Sequence, residues 1–147
     1  MLGKVVHDPD GIEGAVGTTP GLGLLDVETR MCADKSLDRV AAVHVASGAA
    51  MSGYEIHIGR SEGPDRARPF ARIGGEDEGA RSADGRVQGS YLHGMFAEDA
   101  FRRAFLTGFG AVAGAASYGQ VVEDTLDRLA THMERHLDVD GVLAMAR

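Results

Sequence analysis

Hydrophobic and polar residues alternate with period two through the first two thirds of the chain, then recur at helical spacing through the last third. Leu25, Val27, Thr29 and Met31 alternate with Asp26, Glu28, Arg30 and Cys32, which predicts a strand with one wet face. Val40 to Ala46 predicts a second strand, rich in Val and Ala. Tyr54, Ile56 and Ile58 alternate with Glu55, His57 and Gly59 in a third. Phe70 to Ile73 reads as a fourth, short strand, Gly74 to Gly79 as a polar, acidic turn, and Arg86 to His93 as the last strand, with Val87, Tyr91 and His93 on one face. Upstream, Met1 to Val6 is a short apolar run, and His7 to Leu24, with its Asp, Pro, Gly and Thr, reads as a long surface loop.

Helix chemistry follows. Phe96, Phe101, Phe105, Leu106 and Phe109 form one apolar stripe, with Glu98 and Asp99 near the end where the helix dipole favours anions. Ser117 to Gln120 has the spacing of a capping box, and Val122, Leu126, Leu129, Met133 and Leu137 continue at helical intervals. Asp138 is placed to cap a final short helix through Met145. The expected class is therefore α/β, with strands first and helices last.

Composition narrows the function classes. Of 147 residues, 44% are hydrophobic and 25% charged, the profile of a globular domain. The 21 glycines, about twice the usual share, favour many turns. A formal charge of −7 argues against nucleic acid or an anionic membrane as partner. No apolar run reaches the ~18 residues of a membrane span. The start of the chain has no signal-peptide pattern. The single cysteine, Cys32, excludes an internal disulfide and fits a reducing cytoplasm.

Five places are candidates for chemistry. Gly89-Ser90-Tyr91-Leu92-His93-Gly94 puts a histidine at a strand end beside a glycine, where catalytic histidines are often held facing a cleft. A histidine satisfied by a backbone carbonyl would look the same. Gly53 to Arg60 places Glu55 and His57 on one strand face, about 7 Å apart, so the carboxylate could orient the imidazole; a solvated polar face is the alternative. His132 and His136 lie one helical turn apart, but Glu134 is misplaced for a metalloprotease helix and no third ligand is evident, so no metal site is expected. The glycines at 74, 75 and 79 lack the Lys-Ser/Thr ending of a phosphate loop. Cys32 ends a strand among polar residues, without the helix N-terminus or turn that would activate a thiol.

In order, Gly21-Leu22-Gly23-Leu24-Leu25-Asp26-Val27-Glu28-Thr29, Gly53-Tyr54-Glu55-Ile56-His57-Ile58-Gly59-Arg60 and Asp84 through Phe96 closely resemble the C-terminal half of the cobyric acid synthase family. The resemblance extends through the loop at Asp8 to Gly14 and weakly into the last helices. It implies an incomplete class I glutamine amidotransferase domain, flavodoxin-like, over residues 1–147. Glutamine is the implied substrate, and His93 matches the histidine that activates a cysteine thiol. Glu55, His57 and Arg60 become possible orienting or interface residues. The carboxylate that many such glutaminases carry two residues after the histidine is replaced by Met95. Met1-Leu2-Gly3 looks like the end of the family's Cys-Gly-Gly-Tyr-Gln-Met-Leu-Gly-like elbow, so the nucleophile is expected five residues before Met1. No cofactor is expected in this chain; ATP, Mg²⁺ and the corrinoid are expected in a missing N-terminal domain. Without that partner an uncovered sheet edge and apolar face are expected, hence an unstable or self-associating chain, or one that needs its upstream part. A non-catalytic module that keeps the scaffold, and a hydrolase using Cys32, are the competing readings.

Overall fold

The structure, a computed structural model, describes residues 2–112, 114 and 116–146, with the side chains of 34–36 left aside. Met1, the first residue of the expected elbow remnant, lies outside the described residues. The chain divides into two units, Met1–Ala111 and Val112–Arg147. The class is α/β, strands then helices, in agreement with the sequence reading.

The first unit is built on a seven-stranded sheet. Its main path runs β2 (Gly17–Pro20), β1 (Val5–Asp8), β3 (Glu28–His44), β4 (Ala50–Glu62) and β9 (Leu92–His93). β5 (Ala71–Ile73) pairs with β3, and β6 (Glu76–Glu78) pairs with β5. Among the described strands only β1 and β3 pair parallel. β7 (Ala80–Arg81) and β8 (Gln88–Gly89) form a separate two-stranded ribbon.

Several expected boundaries move. The two strands read at 25–32 and 40–46 are one strand, β3. Between Arg30↔Arg60 and Lys35↔Ile58 the register shifts, because β3 holds more residues than β4 in that interval. Such a bulge changes the phase of the inward face. Thr29 is buried before it and Met31 at its start, Ala42 and His44 after it. The intervening polar residues continue the ladder with β4. The acidic turn at 74–79 is shorter than expected. Gly74 (φ 59°) and Gly75 (φ 94°) make a two-residue hairpin loop, which needs two positive φ angles, and 76–78 is a strand. The loop at 7–24 contains β2, and the last strand is broken into β8 and β9, with 90–91 between them.

Two small cores hold this unit. One gathers Ala42, Met51, Phe70, Ala71, Leu92 and Phe101, with Met95 and Phe105 packed against it. The other is Leu25, Val27 and Ala80, with Leu2 and Val87 beside them. Helix α1 (Asp99–Gly108) delivers Phe101, which is fully buried. His44 packs against the rings of Phe70, Phe101 and Phe105 at 4.9, 5.2 and 5.9 Å.

His44 is 4% exposed; one ring nitrogen, Nδ1, meets Ser47 Oγ at 2.8 Å, while Nε2 is buried without a partner. Burial first, and the Arg81 charge second, lower its pKa below the ordinary 6.5. A lowered base binds fewer protons folded than unfolded, so this contribution to stability is complete above pH 6.5 and is lost as pH falls below it. The urea midpoint of the wild type should therefore drop relative to His44→Gln as pH is lowered from 7 to 5. Parallel curves for the two proteins would contradict this.

In the second unit, α2 (Tyr118–His136) starts where expected: Ser117 Oγ accepts from the Gln120 N–H at 3.5 Å. Asp138 caps α3 (Val139–Met145), accepting from the Gly141 N–H at 3.0 Å. No described α2 residue is buried, and Leu126, Leu129 and Met133 are exposed. The rings of His132 and His136 adjoin at 4.4 Å. Among the described residues no three metal-ligating side chains gather. None of the helices is long and apolar enough to cross a membrane, among those residues.

Candidate active site

His93 sits in β9 because β9 comes very close to β4. Tyr54 pairs with His93 and Glu55 with Leu92. Gly53 lies against the His93 carbonyl and the Leu92 side chain, and a Cβ there would collide with both. The glycine of the Gly-Tyr-Glu-Ile-His motif is thus what admits the histidine strand. Gly94, with φ of 77°, ends the strand and opens a 3-10 turn over Met95–Ala97. Met95, the residue where a third catalytic carboxylate would stand, packs on the core instead. Ser52 Oγ donates to Glu98 Oε1 at 2.6 Å, tying β4 to the start of α1.

The imidazole of His93 is exposed, with Nδ1 2.9 Å from the Tyr91 carbonyl oxygen. A carbonyl only accepts, so Nδ1 carries the proton, and in the neutral ring Nε2 is left as the acceptor. That is the tautomer a general base needs.

Tyr91 is the hub of the neighbouring network. Its carbonyl also accepts from the Ile56 N–H at 3.2 Å. Its hydroxyl lies 2.6 Å from Ser61 Oγ, which lies 2.7 Å from Thr29 Oγ1. Its ring packs on His57 at 4.9 Å. His57 donates from Nδ1 to the Gly59 carbonyl at 2.9 Å and holds Nε2 3.4 Å from Glu55 Oε1. Glu55 and His57, which share one strand face, therefore come within ion-pair distance, where spacing alone favoured a solvated polar face. These two residues and Arg60 line one open cleft of about 540 Å³, with Ser61, Glu78 and Tyr91. His93 does not line it. On the ladder Glu55 stands opposite Leu92, and the atom that orients His93 is the Tyr91 carbonyl.

Cys32 is half-buried on β3, beside a second cleft with His7, Arg30 and Arg60. The histidines of the first unit direct Nδ1 to Thr18, Ser47, the Gly59 carbonyl and the Tyr91 carbonyl, none of them to Cys32.

Glu78 escaped the sequence reading, since it fell in the expected acidic turn. It is 7% exposed. Oε1 accepts from the Tyr91 N–H at 2.7 Å and Oε2 from the Ser90 hydroxyl at 2.8 Å. Burial raises its pKa above the ordinary value, against the pull of those two donors. The Gly-Gly pair followed by three residues was the available signal: the hairpin sets Glu78 opposite Ala71, which is fully buried.

The site is thus a strand-end histidine whose Nδ1 is held by a backbone carbonyl, on a mixed sheet followed by helices. Residues 1–101 match the family of CobB/CobQ-like glutamine amidotransferase domains, and the chain belongs to that family. It is similar to the cobyric acid synthases of Rhodobacter capsulatus (65% identical over 147 residues), Bradyrhizobium diazoefficiens (62%) and Cereibacter sphaeroides (64%). In each case all of this chain is covered, against 31%, 30% and 31% of the relative. The chain thus spans about a third of the length of those curated relatives.

Proposed function

We propose that this chain is the histidine-bearing part of the glutaminase of a cobyric acid synthase in cobalamin biosynthesis. His93 is its general acid and base. The observation that carries the reading is the Nδ1–H bond to the Tyr91 carbonyl, which presents Nε2 as a fixed acceptor at the strand end. Nε2 takes the proton of a cysteine thiol supplied by residues outside these 147. The sulfur adds to the carboxamide carbon of glutamine, forming a C–S bond. The C–N bond then breaks, and the imidazolium returns its proton to the departing ammonia. Water hydrolyses the thioester to glutamate and regenerates the thiol. Ammonia serves the ATP-dependent amidation of corrinoid carboxylates elsewhere in the enzyme.

The glycine hairpin does not fit the triphosphate of ATP with its magnesium. Glycines 74 and 75 close a β-hairpin rather than a strand-to-helix phosphate loop. Both are assigned to the remainder of the enzyme, as is the corrinoid.

The test is complementation. This chain and the upstream part of the enzyme, each folded, are mixed with glutamine and the glutamate is measured. Release from the mixture and from neither part alone is expected. Release from this chain alone would instead implicate Cys32, and no release from the folded mixture would leave a non-catalytic module.

A further inference from the structure

We propose that Glu78 is a positioning residue for His93: its buried carboxylate clamps the Ser90–Tyr91 segment whose carbonyl holds the imidazole. The inference rests on the reading of His93 as base.

Residues 90–91 lie between β8 and β9; the Tyr91 carbonyl takes the Ile56 N–H of β4, and the Tyr91 N–H needs a partner of its own. Glu78 supplies it and also takes the Ser90 side chain. One oxygen takes the Tyr91 N–H and the other the Ser90 hydroxyl, and Ser90 Oγ in turn accepts from the Leu92 N–H at 2.9 Å. Glu78 thereby holds Ser90 and Tyr91 directly and Leu92 through Ser90. The carbonyl of the middle one accepts from His93 Nδ1. If the Tyr91 backbone rotates, that carbonyl turns away, the ring loses its orientation and either nitrogen can carry the proton. The core holds the clamp itself in place. Glu78 faces inward opposite Ala71, and Gly79 (φ 72°) lets the chain pass against Phe70 and the Gly89 carbonyl. A buried carboxylate is costly to desolvate, and the raised pKa of Glu78 registers that cost.

The experiment compares wild type, Glu78→Gln and Glu78→Ala. Glu78→Gln keeps an acceptor for the Tyr91 N–H; Glu78→Ala removes both bonds. Nitrogen-15 NMR of the 147-residue chain reads the tautomer of His93, and the complemented enzyme gives kcat and KM for glutamine. Wild type should show the Nδ1–H tautomer, which Glu78→Gln largely retains. Glu78→Ala should show a tautomer mixture and a kcat lowered roughly 10- to 100-fold, the scale of a misplaced catalytic group, with KM unchanged. A folded Glu78→Ala with wild-type tautomer and kcat overturns the proposal. If Glu78→Ala does not fold, Glu78→Asp carries the same test, because it keeps the charge but draws the carboxylate back by one methylene. Failure of the underlying reading looks different: His93→Ala would keep glutaminase activity whatever the tautomer does in the residue-78 variants.

Discussion

Replacing His93 with alanine in the complemented enzyme is expected to lower glutamine-dependent glutamate release by roughly 10²- to 10⁴-fold, the range of a lost general acid–base. The loss should lie in kcat. On the proposed role of His93, loss of the imidazole leaves the thiol its proton and the departing nitrogen no donor. Amidation driven by free ammonia should persist, because that step does not use the thioester. Stability should barely change. His93 is exposed, and its one hydrogen bond is to a carbonyl two residues back, so the cost should stay within about 0.5 kcal/mol. The measurement is a paired assay with glutamine and with ammonium, alongside thermal melts. Equal loss with both nitrogen sources would contradict the assignment, and so would a large drop in melting temperature.

Phe101→Ala should have the opposite signature: a large loss of stability, about 3–5 kcal/mol, the usual cost of emptying a buried aromatic site. Phe101 is completely buried, within 5.2–6.2 Å of the rings of His44, Phe70, Phe96 and Phe105. Among the described residues it is the largest fully buried side chain. The consequence reaches the site. Phe101 anchors α1, and Glu98 at the start of α1 holds Ser52, the neighbour of Gly53, where β9 docks. Denaturant unfolding should show a lower midpoint for Phe101→Ala and little change for Phe109→Ala, whose ring is 67% exposed. Similar costs for both would show that the ring cluster is not the core.

Much of this was legible in the residues. The inward set Leu25, Val27, Thr29 and Met31 is buried as its alternation requires. Ser117 and Asp138 cap their helices because short polar side chains reach the free N–H groups of a first turn. Glu55 and His57 meet because strand geometry sets residues i and i+2 on one face. The continuity of β3 was hidden. The bulge after Arg30 inverts the phase of the pattern, so one strand reads as two separated by polar residues. Only a partner strand long enough to satisfy that backbone overrides the local pattern.

Glu78 was hidden for a related reason. An acidic tripeptide after two glycines has the composition of a solvated turn, and the hairpin register alone turns its last carboxylate inward.

By itself, the sequence determined the class of fold, the order of strands and helices, the helix starts and the histidine at the end of a strand. Each follows from a periodicity or a spacing a few residues long. Only the tertiary structure decided what holds that histidine. Its orienting group is a backbone carbonyl, and backbone carbonyls are the same at every residue. The clamp behind that carbonyl comes from Glu78, 13 residues upstream of Tyr91, across an interval that no local pattern spans.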